Sequence, residues 1–348
     1  VSAASRRLLA GLVGPALSDD ERRLFTELPP FGFVLFERNL QSAEQTAALI
    51  AELRALADPA PLLFVDQEGG PVDRIGPLLG IAFPSAARCG AKGADRVHEN
   101  AYLMGRAARL LGFDVDLAPV VDLAQPGTGA VVLGERTFGF HAEDVALSAL
   151  VFLHGLARAG VASCLKHFPG IGRGPVDSHV KLPVVDAHDV DLMVTDVAPF
   201  TRLAKSADGV MVGHAAYPGF TKDETPASLS PRMYQMLRGP VGFEGVAITD
   251  DLSMGALEGA FVGRARRAAE SGADLLCIPR ASFEDYETLA GEEAPTSNRL
   301  ETLRGRCTSA PRPRFSPEKW SELRGDVERY LERLERPREK RVEVEGAD

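Results

Sequence analysis

Basic residues are in short supply in this 348-residue chain: 39 Lys and Arg stand against 49 Asp and Glu, for a formal net charge of −10. A surface with that balance repels phosphate backbones and anionic lipid, so neither nucleic acid nor a membrane surface is expected as a partner. Long apolar runs are also missing, and none reaches the roughly 18 residues of a membrane span. The N-terminal VSAASRRLLAGLVG has too short an apolar stretch, and no clear cleavage site, to read as a signal peptide. The few cysteines, Cys89, Cys164, Cys277 and Cys307, are far apart with no C-x-x-C pair, so free thiols in a reducing, cytoplasmic compartment are expected. Histidines are sparse as well. They include no H-E-x-x-H and no close ligand pair, so no metal site is expected.

What the chain does have is a series of short apolar runs rich in Val, Leu, Ile and Phe. They are RLLAGLVG (7–14), GFVLF (32–36), PLLFVD (61–66), FDVDLAPVVD (113–122), VASCLKH (161–167), GVMVGH (209–214), GVAITDD (245–251) and ADLLCIP (273–279). Most are too short for helices, and their near-continuous apolarity fits parallel strands buried on both faces. Helical patterns lie between them, at 42–56 behind a Ser42 N-cap, and at 95–112, 142–160 and 261–272. Eight strands alternating with helices predict an α/β fold, a single-domain (β/α)₈ barrel of the TIM type spanning 1–290. An open doubly wound sheet is the alternative, but LVGPALSDDE (12–21) lacks the G-x-G-x-x-G turn that such a fold usually carries. Residues 294–315 are rich in Pro and Arg and read as a wrapping connection. In 316–335, Ser316 and Pro317 open one helix, whose apolar stripe is Trp320, Leu323, Val327, Tyr330, Leu331 and Leu334. The segment 291–335 is thus a connection and helix packed on the barrel, and 336–348 is expected to be a frayed tail.

In a barrel, the residues just past each strand's C-terminal end surround one pocket. Those positions carry Asp66 and Glu68, then Asp122 and the later Arg136, Lys166 and His167, His214, and the pair Asp250 and Asp251. Each has a plain alternative. Asp251 can cap a helix, Glu68 can bind the backbone amides of its own turn, Arg74 and Arg136 can brace loops, and a histidine at a strand end can be structural. Convergence of so many polar groups at one end is costly for stability unless they share a ligand. Such a set suits sugar chemistry: charged groups grip hydroxyls, an Asp attacks an anomeric carbon, and a protonated group opposite releases the leaving oxygen.

FVDQEGG, GERTFG, LKHFPG followed by DSH, VMVGHAAYP and ITDDLSMGA occur in the same order as in family 3 glycoside hydrolases. The chain resembles the single-domain bacterial β-N-acetylglucosaminidases of that family from about residue 8 to about 280. K-H-F-P-G with D-S-H close behind is the specific marker. The resemblance implies a retaining exo-β-N-acetylglucosaminidase that needs no cofactor and acts on small saccharides or muropeptides from peptidoglycan turnover. It also implies Asp250 as nucleophile, His179 as acid/base and Asp177 as its orienting partner. Sugar-binding roles fall to Asp66, Arg74, Arg136, Lys166 and His167, and Met211 and His214 match a region of substrate contact.

Two departures stand out: Pro71 replaces an arginine usual in the family, and Ile171 replaces a histidine in the loop. They bear on loop packing and substrate range more than on reaction type. Alternatives that stay open are phosphorolysis or related β-glycosidase activity, and a sugar-binding protein that has lost catalysis. Since Asp250 and Asp251 are adjacent in a strand, alternation predicts that only one of them faces the pocket.

Overall fold

A computed structural model describes residues 5–125, 133–292 and 297–336. Its strands are β1 (Leu8–Ala10), β2 (Gly32–Leu35), β3 (Leu62–Val65), β4 (Gln67–Gly69), β5 (Val72–Asp73), β6 (Val115–Asp116), β7 (Ala162–Phe168), β8 (Gly209–Val212), β9 (Val246–Thr249) and β10 (Leu276–Ile278). Eight of them form one parallel sheet in the order β10-β1-β2-β3-β6-β7-β8-β9. A bridge between Ile248 and Leu275 brings β9 against the β10 segment and closes the ring. The eight expected strands are the eight observed, and the architecture is the (β/α)₈ barrel rather than the open sheet.

Side-chain alternation sorts the strand residues into two cores. Val34, Leu62, Phe64, Val115, Ala162, Cys164, Met211, Val246, Ile248 and Leu275 fill the barrel interior. Phe33, Leu35, Leu63, Val65, Leu165, Val210, Val212 and Ala247 face outward, into the layer shared with the helices. Helices start where the sequence placed them. Ser42 accepts a hydrogen bond from the Gln45 amide ahead of helix Ala43–Arg54, and Ser316 does the same for Lys319 ahead of helix Pro317–Glu335.

Three details differ from expectation. The fourth run forms a regular ladder only at Val115–Asp116, because Pro119 has no N–H to donate; beyond it the pairing with β7 continues irregularly, as in Val121 N–H to Lys166 O. Glu68, placed just past the end of the third run with a turn of its own, instead lies in the antiparallel β4–β5 hairpin of residues 67–73. Its turn needs glycine: φ is +81° at Gly69 and +60° at Gly70, and a Cβ on Gly69 would lie 2.4 Å from the Pro84 carbonyl oxygen. The third difference is helix Asn298–Thr308, which lies within the segment expected as a connection and places Leu300, Leu303 and Cys307 in the interior core.

At the same end of the barrel the buried Asp114 gathers Arg54 (2.6 Å), Arg109 (3.3 Å) and Arg312 (2.8 Å). The C-terminal helix packs on helix Ala94–Leu111, with Trp320 Nε1 donating to Leu78 O and Tyr330 Oη to Arg96 O. The expected tail, save its first residue Arg336, lies outside the described residues.

Candidate active site

The inward positions of the strands lead straight to the pocket. Three of the chemistry-bearing residues sit two places beyond an interior core residue: Asp66 after Phe64, Lys166 after Cys164, Asp250 after Ile248. All three line a cavity of about 360 Å³ at the C-terminal ends of the strands, with Leu117, Met211 and Cys277 from the interior core as its apolar floor. Glu68, Arg74, Arg136, His167, Ile171, Ser178 and His179 complete much of the wall.

One side is a charged network. Lys166 Nζ lies 2.7 Å from Asp66 Oδ1 and 2.6 Å from Glu68 Oε1, and Arg136 grips Glu68 with two parallel N–H donors at 2.8 and 2.9 Å. Burial by itself would raise the Glu68 carboxyl; Lys166 and Arg136 outweigh it and bring the value down to about 2. Glu68 therefore braces two sugar-binding candidates rather than its own turn, a role the sequence reading missed. The only hint there was an acid beside two glycines. Arg74 lines the pocket with a looser contact, 3.6 Å to the exposed Glu37, and its Nε has no partner.

His167 is held from below by Asp122. The carboxylate accepts from the His167 and Ile171 amides and pairs with His167 Nδ1 at 2.7 Å, leaving Nε2 free of these contacts. Asp122 stood at a strand end in the sequence but carried no assigned role. The Lys166–His167 and Phe168–Pro169 peptide bonds are cis.

On the opposite side, Asp250 Oδ1 accepts from the Asp251 amide at 2.8 Å. Burial would raise the Asp250 carboxyl, but His214, His167 and Lys166 with that amide bond hold it below the usual carboxylate range. Asp251 also lines the cavity, which departs from the alternation argument: β9 ends at Thr249, and beyond a strand's end the alternation no longer applies. One oxygen of Asp251 is committed to the Ser253 amide (2.8 Å) and hydroxyl (2.5 Å), the cap-like role read from the sequence.

His214 does not line the pocket, contrary to the expectation of substrate contact. It is fully buried, with Nδ1 2.7 Å from Ser228 Oγ and Nε2 2.9 Å from Asp251 O. The carbonyl can only accept, so Nε2 carries a hydrogen and donates it to Asp251 O. Burial lowers its pKa, with Asp250 acting in the opposite direction. Its place is that of a brace behind Asp250 and Asp251.

His179 reaches the rim on the loop after β7. Its side chain is 70% exposed, and Nδ1 pairs with Asp177 Oδ1 at 2.8 Å. The same oxygen accepts the His179 amide. Burial would raise the Asp177 carboxyl; the His179 hydrogen bonds outweigh it and bring the carboxyl below its ordinary value. Pro71 is exposed in the hairpin turn, while Ile171 is buried in the pocket wall. Among the described residues no group of three or more His, Cys, Asp or Glu could hold a metal ion.

Residues 11–294 match the family model described as Glycosyl hydrolase family 3 N terminal domain. The chain belongs to glycoside hydrolase family 3. This family 3 glycoside hydrolase is 37% identical over 314 residues to a beta-hexosaminidase of Thioalkalivibrio sulfidiphilus, covering 86% of this chain and 89% of the relative. A family 3 beta-N-acetylglucosaminidase from Paenibacillus sp. superposes with a TM-score of 0.81 at 32% identity, over 94% of this chain and 68% of the other. NagZ from Neisseria gonorrhoeae, solved with N-trifluoroacetyl-D-glucosamine, gives a TM-score of 0.81 at 28% identity, over 93% of this chain and 97% of its own.

Proposed function

We propose that this enzyme is a retaining exo-β-N-acetylglucosaminidase that works through a covalent ester on Asp250. The observation that carries the reading is Asp250 just past the inward end of β9, its pKa lowered by its surroundings, facing a floored pocket of charged hydrogen-bonding groups with the His179–Asp177 pair at its rim. The names of the relatives, beta-hexosaminidase and beta-N-acetylglucosaminidase, and the N-trifluoroacetyl-D-glucosamine bound by one neighbour support N-acetylglucosamine as the sugar. A pocket with a closed floor suits a terminal residue better than the middle of a chain.

In the first step the Asp250 carboxylate attacks the anomeric carbon as the bond to the leaving oxygen breaks, and His179 Nε2–H passes its proton to that oxygen. Asp177 holds Nδ1–H, which fixes the tautomer and supports the charged imidazole. In the second step His179 takes a proton from water, the water oxygen bonds to the anomeric carbon, and the ester bond breaks to restore Asp250. An imidazole can both give and take a proton without the burial a carboxylic acid would need, so an exposed loop can carry it. Asp66, Lys166, Arg136, His167 and Arg74 hold the sugar hydroxyls, with Met211 beneath. Cell-wall saccharides with a non-reducing N-acetylglucosamine are the proposed substrates. Cysteines that are all buried and unpaired support a reducing compartment, the cytoplasm.

The test is pre-steady-state kinetics of His179→Ala. An alkyl or sugar leaving group needs the proton, so turnover should fall about 10²–10⁴-fold. A nitrophenyl leaving group does not, and a burst of nitrophenol should precede slow turnover. Equal losses on both, with no burst, would mean that the proton comes from elsewhere. Product analysis with and without phosphate separates hydrolysis from phosphorolysis.

A further inference from the structure

We infer that Gly255 is a positioning residue for His179, the point at which the loop that carries the acid/base docks onto the segment that carries the nucleophile. The inference rests on the proposed role of His179. The imidazole is mostly exposed, and its partner Asp177 belongs to the same loop and moves with it. Neither feature fixes the pair relative to Asp250. The loop is pinned at one end by the Ile171 amide on Asp122, and at the other by Val185 N–H to Ala216 O and Ala216 N–H to Pro183 O. Between those anchors, Val176 and Val180 on the loop lie exposed.

The middle of the loop meets the chain just beyond β9 through two backbone hydrogen bonds: Gly255 N–H to His179 O at 3.2 Å and Ala256 N–H to Ser178 O at 3.1 Å. Asp250 stands a few residues upstream in the same segment, behind the turn that Asp251 closes with Ser253 and Met254. The docking is close enough that residue 255 has no room for a side chain. A Cβ there would lie 2.8 Å from His179 O and 2.9 Å from Val180 O. Both are main-chain atoms, so no rotamer change relieves the contact. The φ of Gly255 lies outside the left-handed region, so alanine suits its backbone and the strain falls on the loop. A methyl group at 255 therefore lifts His179 away while leaving Asp250 on its strand.

The test compares Gly255→Ala, His179→Ala and the double variant on an alkyl and a nitrophenyl β-N-acetylglucosaminide. Gly255→Ala should lower kcat on the alkyl glycoside by roughly 10–100-fold, part of the full acid–base contribution. Its first step on the nitrophenyl glycoside should fall much less. The double variant should be no slower than His179→Ala alone, since both act through one group. Wild-type rates for Gly255→Ala, equal losses on both substrates, or losses that multiply in the double variant would each overturn the docking role. If His179→Ala itself shows no dependence on the leaving group, the acid/base reading fails. Dependence in His179→Ala but not in Gly255→Ala defeats the docking role alone. Hydrogen exchange on the unaltered enzyme provides a check that needs no variant to fold. The Gly255 and Ala256 amides should be protected, and exchange at the rate of an open chain would overturn the inference.

Discussion

Adjacent aspartates at 250 and 251 show how two identical side chains come to differ. Asp250 keeps the inward direction of Ile248 and is surrounded by His214, His167 and Lys166, which favour its charged form. Asp251 has one oxygen tied to Ser253 and its carbonyl on His214. Asp250→Ala should abolish turnover. Asp251→Ala should leave the chemical step largely intact and lose about 0.5–2 kcal/mol of stability with the cap-like bonds. Steady-state kinetics and chemical denaturation check the pair, and a fluorinated slow substrate should label the peptide on Asp250 alone. A label on Asp251 would reverse the assignment. Because the Asp250 pKa is lowered, its protonation should set in at lower pH than that of an ordinary aspartate. An acid limb of kcat/KM set by Asp250 should therefore lie below the ordinary carboxylate range, which a pH profile checks.

At the level of elements, the apolar stripe of the last helix is the clearest case of pattern becoming contact. Leu323, Val327, Tyr330 and Leu334 are all buried, where the helix packs against helix Ala94–Leu111 and its surroundings. None of them lines the cavity at the strand ends. Leu323→Ala should cost about 2–5 kcal/mol through lost burial and the cavity left behind. At temperatures where the variant is folded, kcat/KM should match the unaltered enzyme. Denaturant unfolding paired with assays at low temperature measures both. A loss of catalysis in the folded variant would mean that the helix also shapes the pocket. Helix Asn298–Thr308 was not legible in the same way. Its few apolar residues plug the barrel interior, and what they cover is visible only once the barrel exists.

Across the whole molecule, Glu68 links the loops after β3, β4–β5 and β6 to β7 through Lys166 and Arg136. Its folded pKa of about 2 lies below the ordinary value of 4.5, so its contribution to stability is present above about pH 4.5 and is lost as pH falls toward 2. A shift of that size corresponds to about 3 kcal/mol. Glu68→Gln should lower stability at neutral pH by a similar amount, because Lys166 and Arg136 lose a buried counter-charge. It should also flatten the acid side of the stability curve. Melting temperatures of both proteins from pH 7 to 2 test this, and parallel acid limbs would show that Glu68 is not the group being titrated.

The chain alone carried the eight strand positions, four of the helices between them and most of the pocket's charged residues. These are local matters: a period of two, a capping serine and a motif spelling can each be read within a few residues. The same period placed Asp66, Lys166 and Asp250 on one inward line. Folding decided the rest, because it depends on groups brought together from far apart. Lys166 and Asp66 stand 100 positions apart, and Arg136 and Glu68 stand 68 apart. Only the closed barrel removes water around Glu68 and makes its charge depend on two cations. His214 has the sequence context of a substrate contact, yet burial and two hydrogen bonds turn it into a brace. Gly255 is one glycine among many until the His179 loop lies against it.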